Sequence, residues 1–499
     1  MWLRSIVAVD AKDLPVGVAP ADHGGAMSQI ANTTILDRTW ASLRQALRDI
    51  APGRRGLEPI ETRPDLPDSD VAAVREHMRA CLEGRGGEVT ARARATALGR
   101  AYLSLEEAGR LRFLKMLAEE FDVDRDAVDA AAAALTTATD PADRRKAEHR
   151  LRNALEAPRV RLLTQFNALP DGVKFLVDMR AELLRMSRDE PSLRGLEADL
   201  KRVLANWFDV GFLELRRITW RSPALLLEKL IAYEAVHEIR GWTDLKNRLD
   251  SDRRCYAFFH PRMPDEPLIF VEVALVSGMA DNIHELLDED SPVADPNAAD
   301  AAIFYSISNA QQGLAGISFG NFLIKRVVDD LSGEFKNLKT FATLSPIPGF
   351  RRWLDARLAE NGDDVLTEAE RKALGELKQI PEGEGSRLAA LLAMPGWHAD
   401  PVLSAAAKQP LLRQCAIYLA KEKRAGSRAA DPVAHFHLSN GARMERLDWL
   451  GDVSKKGIAQ SAGLMINYLY KLDAIDANHE AYTGEGRIAL SSGIKALVK

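Results

Sequence analysis

The sequence predicts an α+β protein of two unlike halves: an all-α helical bundle over residues 29–205, then a mixed α/β domain over 206–499 with a helical insertion at 361–425. Three observations carry that expectation. Apolar residues recur at helical spacing through the first half with no β-rich stretch between them. Short apolar or alternating runs begin after about Asn206, separated by helical segments, as in a domain with a central sheet. Helical patterning alone returns between residues 361 and 425. A chain of 499 residues is also too long for one ordinary core.

Taken in order, residues 1–28 are rich in Gly, Ala, Asp and Pro without periodicity and are expected to form a mobile arm. Leu36, Trp40, Leu43, Leu47 and Ile50 then share one helical face, with Arg38, Arg44 and Arg48 elsewhere. Leu111, Leu114, Ala118 and Phe121 repeat the pattern in a helix that Ser104 and Glu107 are expected to open as a capping box. The alanine run at 130–134, the charged segment 143–155 and the set Leu176, Met179, Leu183 and Met186 predict three more helices. These faces exceed what one small bundle needs to bury, so this half is expected to assemble homo-oligomers. In the second half, strands are predicted at 255–260, 268–276, 302–307, 340–344, 435–438 and 464–470, with residues 261–266 turning the first into the second. Helices are predicted at 281–287, 321–331 and 349–358, and Thr367 with Glu370 forms a capping box inside the insertion.

Composition excludes several classes. A net charge of −5 gives no reason to expect nucleic acid, and no apolar segment reaches the length of a membrane span. Cys81, Cys255 and Cys415 lie far apart and form no CxxC, so neither a disulfide framework nor a zinc ribbon is suggested, and a reducing cytoplasm fits.

Three segments carry chemistry. Pro346 disfavours helical backbone at Ser345, so this hydroxyl is expected at a strand end, held by Pro346 and Pro348. No GxSxG elbow surrounds it, which argues against an acyl-enzyme. His435 and His437, read as extended, are expected to share one face, yet no third metal ligand stands at suitable spacing. A structural and a catalytic histidine are both compatible with that segment; the sharp turn at Leu438-Ser439-Asn440-Gly441 favours the second, because it can orient an imidazole. The run from Gln311 to Asn321 is a glycine-rich strand-to-helix turn, whose outward N–H groups suit phosphate oxygens. Steric need explains such glycines too, and the run is neither a Walker loop nor a GxGxxG fingerprint. Lys325 and Arg326 could reach phosphates or simply face solvent; Tyr305, Asn440, Tyr468 and Tyr470 are further pocket candidates, for each of which a structural role is the more ordinary reading.

On the strings FYSISNAQQGLAGISFGNFLIKRVV, LSPIPGF and HFHLSNGA, in that order, the chain resembles the malonyl-CoA decarboxylases, most densely over residues 218–354 and 432–470. The resemblance implies a GNAT-like catalytic domain in which backbone amides of Ala315, Gly316, Ile317, Ser318, Phe319, Gly320 and Asn321 hold the pyrophosphate of coenzyme A. Several members carry an acidic residue where this chain has Ser318, which leaves the backbone cradle intact. It further implies that Ser345 and His437, the histidine before Leu-x-Asn-Gly-Ala, act at the reacting end, with His435 a bystander. Malonyl-CoA and acetyl-CoA would be the ligands, with no metal or other cofactor and a homo-oligomeric assembly. The final Ala496-Leu497-Val498-Lys499 lacks the peroxisomal tripeptide of some relatives, so a cytoplasmic enzyme is expected. Two rivals come from other classes. A GNAT-type N-acyltransferase would share the CoA half but needs an amine channel and a base; a CoA-binding scaffold would leave LSPIPGF and HFHLSNGA without purpose. How Ser345 and His437 divide their tasks stays open.

Overall fold

The computed structural model describes residues 60–84, 87–317, 323–381, 385–424 and 426–499. The expected arm, the helix bearing Leu36 and Trp40, and residues Ser318, Phe319, Gly320 and Asn321 lie outside the described residues.

Helices come first: α1 (Asp68–Leu82), α2 (Glu88–Ser104), α3 (Glu107–Glu120), α4 (Arg125–Thr137), α5 (Pro141–Ala154), α6 (Pro158–Gln165), α7 (Gly172–Met186) and α8 (Arg194–Trp207). Asp124 and Asp140 accept the first free amides of α4 and α5, and Pro141 stands where a helix needs no N–H. The Ser104 box does not form. Leu105 buries its side chain with extended backbone, so Ser104 closes α2, its hydroxyl on the Ala101 carbonyl, and α3 starts only at Glu107. The centre of this half is α7, buried on nearly every side, including the polar residues Lys174, Asp178, Arg180 and Glu182. Each of these has an ionic or hydrogen-bonded partner, as burial of polar groups demands.

The second half is one eight-stranded sheet in the order β1-β2-β3-β4-β5-β10-β6, with β9 on β10. Its strands are β1 (Glu214–Ile218), β2 (Arg253–Phe259), β3 (Ile269–Val276), β4 (Ala301–Asn309), β5 (Thr340–Thr343), β6 (Ser345–Pro346), β9 (Arg443–Asp448) and β10 (Met465–Leu469); β7 (Lys423–Arg424) and β8 (Arg428–Ala429) form a separate ribbon. Every pairing is antiparallel except β4 with β5. That exception positions the site. The two strands run together only from Ala301/Thr340 to Phe304/Thr343; β4 then continues along β3 to Asn309, while Ser345 turns away to pair with Ile466 on β10. The strands therefore part at their carboxyl ends, the place where open α/β sheets bind ligands.

Helices α9 (Ala224–Tyr233) and α10 (Trp242–Arg248) precede β2, the short α11 (Ile283–Leu286) follows β3, and α12 (Leu323–Glu334) forms the β4–β5 crossover. Between β6 and β7 stand α13 (Phe350–Asn361), which answers to the helix predicted at 349–358, and then α14 (Glu368–Gly375), α15 (Arg387–Ala393) and α16 (Pro401–Lys421) within residues 361–425. The Thr367–Glu370 capping box forms as expected. After α17 (Pro432–Ser439) come α18 (Lys455–Ser461), α19 (Ile475–Glu485) and α20 (Ser492–Val498).

The expected strand at 435–438 is a correction, since these residues lie in α17. Asp431 caps the amides of Val433 and Ala434, Pro432 occupies the first turn, and Gly441 at φ 82° ends the helix with a backbone bond from Ala442 N to His437 O. A helix of eight residues with several buried positions shows too little periodicity to separate it from a strand. Sequence reading also passed over β1 and β9, whose charged residues hide the alternation.

Candidate active site

Ser345 leaves β5 at the point where the sheet opens and is 5% exposed. Its Oγ donates to Thr343 Oγ1 at 2.8 Å and lies 3.1 Å from His437 Nε2. The serine and the histidine, 92 positions apart, are thus brought together, and one buried carboxylate ties their supports. Asp431 accepts the Gly349 amide at 3.3 Å, from the turn after Ser345, and both capping amides of the helix that carries His437 at 2.9 Å. Gly349 has no room for a side chain, since a Cβ would stand 2.1 Å from Tyr418 Oη.

His437 is 3% exposed. Its Nδ1 lies 2.8 Å from Tyr470 Oη, and its ring stacks on Tyr468 with centroids 4.5 Å apart. Tyr468 lies in β10 and Tyr470 just past its end, two residues apart and so on one face. Burial lowers the His437 pKa to about 3, so the ring is neutral near pH 7. The phenol is the better donor, so the tautomer that satisfies the chain has Tyr470 O–H donating to Nδ1, Nε2–H donating to Ser345 Oγ, and Ser345 O–H donating to Thr343. A serine nucleophile would require a carboxylate behind the histidine to stabilise its cation, and here that position holds a phenol. The group is a buried, neutral set of hydrogen-bond donors.

His435 does not share this face. Two residues apart on a helix is about 200°, and its Nδ1 meets Tyr482 Oη at 2.8 Å instead. Burial first, then Arg428 and Arg424, lower its pKa to about 4. Among the described residues no group of three or more His, Cys, Asp or Glu could hold a metal ion. Tyr305 lies on the opposite sheet face with Ile303, Ala342 and Leu344, and Asn440 bonds the Phe436 carbonyl at the end of α17, so neither joins the pair. Arg326 is committed to the Leu213 carbonyl at 2.9 Å, whereas Lys325 stays half-exposed near Asp476.

The glycine-rich turn begins as a 3-10 turn at Gln312–Leu314. Gly313 lies against α7, where a Cβ would come within 1.7 Å of Val177 O, and Gly316 adopts φ +71°. Ala315 is exposed, Gly316 is partly so, and Ile317 is buried. The amides of Leu314, Ala315 and Ile317 are taken up within the turn, while among the described residues that of Gly316 has no protein acceptor. Sequence reading missed Thr343, Asp431 and Arg180. Only Asp431 had left a local signal, the Asp-Pro pair that opens a helix.

Comparison with known proteins agrees with this architecture. Residues 121–208 match the family model described as malonyl-CoA decarboxylase N-terminal domain, and 211–499 match the malonyl-CoA decarboxylase C-terminal domain. The chain is similar to the mitochondrial malonyl-CoA decarboxylase of Rattus norvegicus, 41% identical over 409 residues, covering 79% of this chain and 82% of that protein. Among solved structures it is similar to malonyl-CoA decarboxylases from Rhodopseudomonas palustris, with TM-score 0.77, 42% identity and coverage of 85% and 99% of the two chains. The one from Agrobacterium vitis gives TM-score 0.75, 41% identity and coverage of 86% and 100%.

Proposed function

Because the chain belongs to the malonyl-CoA decarboxylase family and is by that membership a carboxy-lyase, we propose that Ser345 and His437 act on malonyl-CoA through a thioester enolate. In this reading the turn of Ala315, Gly316 and Ile317, continued by Ser318, Phe319, Gly320 and Asn321, holds the coenzyme A pyrophosphate. The observation that carries the proposal is the buried 3.1 Å approach of Ser345 Oγ to His437 Nε2 at the opening of the sheet.

When the bond between the α-carbon and the carboxylate breaks, its electron pair moves toward the thioester oxygen and CO2 departs. A fixed donor at that oxygen lowers the barrier, and dry surroundings weaken the solvation that holds the carboxylate in place. The enolate then needs one proton. His437 is neutral in the free protein because it is buried, but a bound malonyl carboxylate is an opposite charge beside it and raises its pKa. Substrate binding accordingly draws a proton onto the imidazole. As Nδ1 gains hydrogen, the Tyr470 phenol rotates from donor to acceptor, which a carboxylate could not do. After CO2 leaves, the Nε2 proton, which faces Ser345, passes to the α-carbon, and His437 is left neutral with its hydrogen on Nδ1 toward Tyr470. The sum is malonyl thioester anion plus one proton giving acetyl thioester and CO2, with no cofactor consumed.

The proposal includes a cytoplasmic homo-oligomer assembled through the helical half; light scattering that gives a 55.0 kDa monomer would contradict the assembly. The function is tested by incubating the protein with malonyl-CoA alone in D2O. Acetyl-CoA carrying one new deuterium in its methyl group is expected. Turnover that waits for an added amine would make the chain an acyltransferase instead.

A further inference from the structure

We propose that Arg180, on helix α7 of the N-terminal half, is a positioning residue for the coenzyme A diphosphate, acting through the peptide backbone of the glycine-rich turn. The inference rests on the reading that this turn is the diphosphate site. Arg180 is 1% exposed and spans the junction of the two halves. Its Nη1 donates to the Gly313 carbonyl at 2.6 Å and its Nη2 to the Ala315 carbonyl at 2.8 Å. Nε and Nη2 also reach Glu197 Oε1 on α8, at 3.0 and 2.8 Å.

Within a trans peptide the C=O and the following N–H point in opposite directions. Drawing the Ala315 carbonyl inward onto the guanidinium therefore turns the Gly316 N–H outward, and this is the amide that no described acceptor satisfies. The positive φ of Gly316 lets the chain continue from that peptide plane without strain. Gly313, pressed against Val177 O, allows helix and turn to approach backbone to backbone, close enough for the arginine to grip two carbonyls at once. Lysine cannot substitute, because an ammonium lacks the planar fork that serves two carbonyls and a carboxylate together. A buried guanidinium is costly to keep, and apolar packing would join two halves more cheaply. Its use here is to set the direction of a peptide that faces the ligand.

The test compares malonyl-CoA with malonyl-pantetheine, which has the reacting end but no diphosphate, in full-length Arg180→Met, Arg180→Lys, Glu197→Gln and Gly316→Val variants. Arg180→Met should lower kcat/KM for malonyl-CoA by about 10-fold or more, mostly through KM, and leave malonyl-pantetheine within about 2-fold. Arg180→Lys should fall between, and Glu197→Gln should move the same way more mildly. A purely structural role would reduce both substrates equally; that result, or unchanged malonyl-CoA kinetics in Arg180→Met, overturns the inference. If the arginine variants do not fold, Glu197→Gln decides by the same comparison. Loss of substrate discrimination in Gly316→Val with none in the Arg180 variants sinks the positioning role and spares the diphosphate site. No loss in either set removes both.

Discussion

The two ends of the candidate site are built from opposite materials. At the reacting end, four side chains from three separate segments, Thr343 and Ser345, His437, and Tyr470, meet in a dry interior and bond one another in a row. At the proposed binding end a single turn offers backbone, partly exposed, and an arginine of the other half bonds its Gly313 and Ala315 carbonyls from behind. The difference follows from the tasks. A developing charge needs donors that are already in place and shielded from water, because reorganisation at the moment of reaction raises the barrier. A diphosphate must enter and leave intact, so amides at an open edge suit it better than buried side chains.

Substitution at the reacting end should have the largest effect and break the comparison if it does not. Ser345→Ala and His437→Asn should each lower kcat by about 100-fold or more, since one such donor is worth ~3 kcal/mol, while CoA affinity stays within a few-fold. Single-turnover rates with calorimetric CoA binding would separate the two quantities. Wild-type kcat in either variant would move the chemistry elsewhere.

Smaller losses sharpen the boundary between the ends. Tyr470→Phe leaves the His437 Nδ1 without its 2.8 Å partner in a buried site, and should lower kcat by roughly 10-fold, the cost of one such hydrogen bond. If the phenol also fixes the tautomer, the pH profile of kcat should change shape. A profile that only scales down would leave Tyr470 a packing residue. Gly313→Ala at the other end should weaken CoA binding by roughly 10-fold and lower the melting temperature, because its Cβ would meet Val177 O and push turn and helix apart. Intact CoA affinity in that variant would mean that the docking of the turn on α7 does not matter for binding.

What the sequence disclosed divides along the same line. The proposed binding end is contiguous in sequence, so the run from Gln311 to Asn321 could be read as one unit, and Ser345 was marked by its prolines. At the reacting end the sequence offered Tyr468 and Tyr470 only as pocket candidates beside Tyr305 and Asn440, and which of them meets the histidine is legible only in three dimensions. Thr343 sits two residues before Ser345 with no motif of its own, and Tyr470 stands 33 positions from the histidine it bonds. Arg180 was invisible for another reason: a lone arginine on an apolar helix reads as a solvated face until the second half covers it. Strands β2 and β4 announced themselves by apolar runs and β3 by apolar residues around Glu272, whereas β9, with Arg443, Glu445, Arg446 and Asp448, did not.

The smallest expected effect is at His435, and it tests whether nearness in sequence to His437 means anything. The helix that replaced the expected strand turns His435 to the far side, toward Tyr482, so His435→Asn should leave kcat within about 3-fold. Its consequence should appear in stability instead. In the folded chain its pKa is lowered from 6.5 to about 4, so between those values the unfolded chain holds more protons than the native one. The contribution is therefore complete above about pH 6.5 and is lost as pH falls toward 4. Replacing His435 removes one group that must be kept neutral and also the Tyr482 bond. The variant should melt lower than wild type at pH 7 and lose less on acidification, the two curves converging near pH 4. A large kcat defect with parallel melting curves would instead put His435 with the reacting residues, and the opposite-face geometry of α17 would no longer account for which histidine matters.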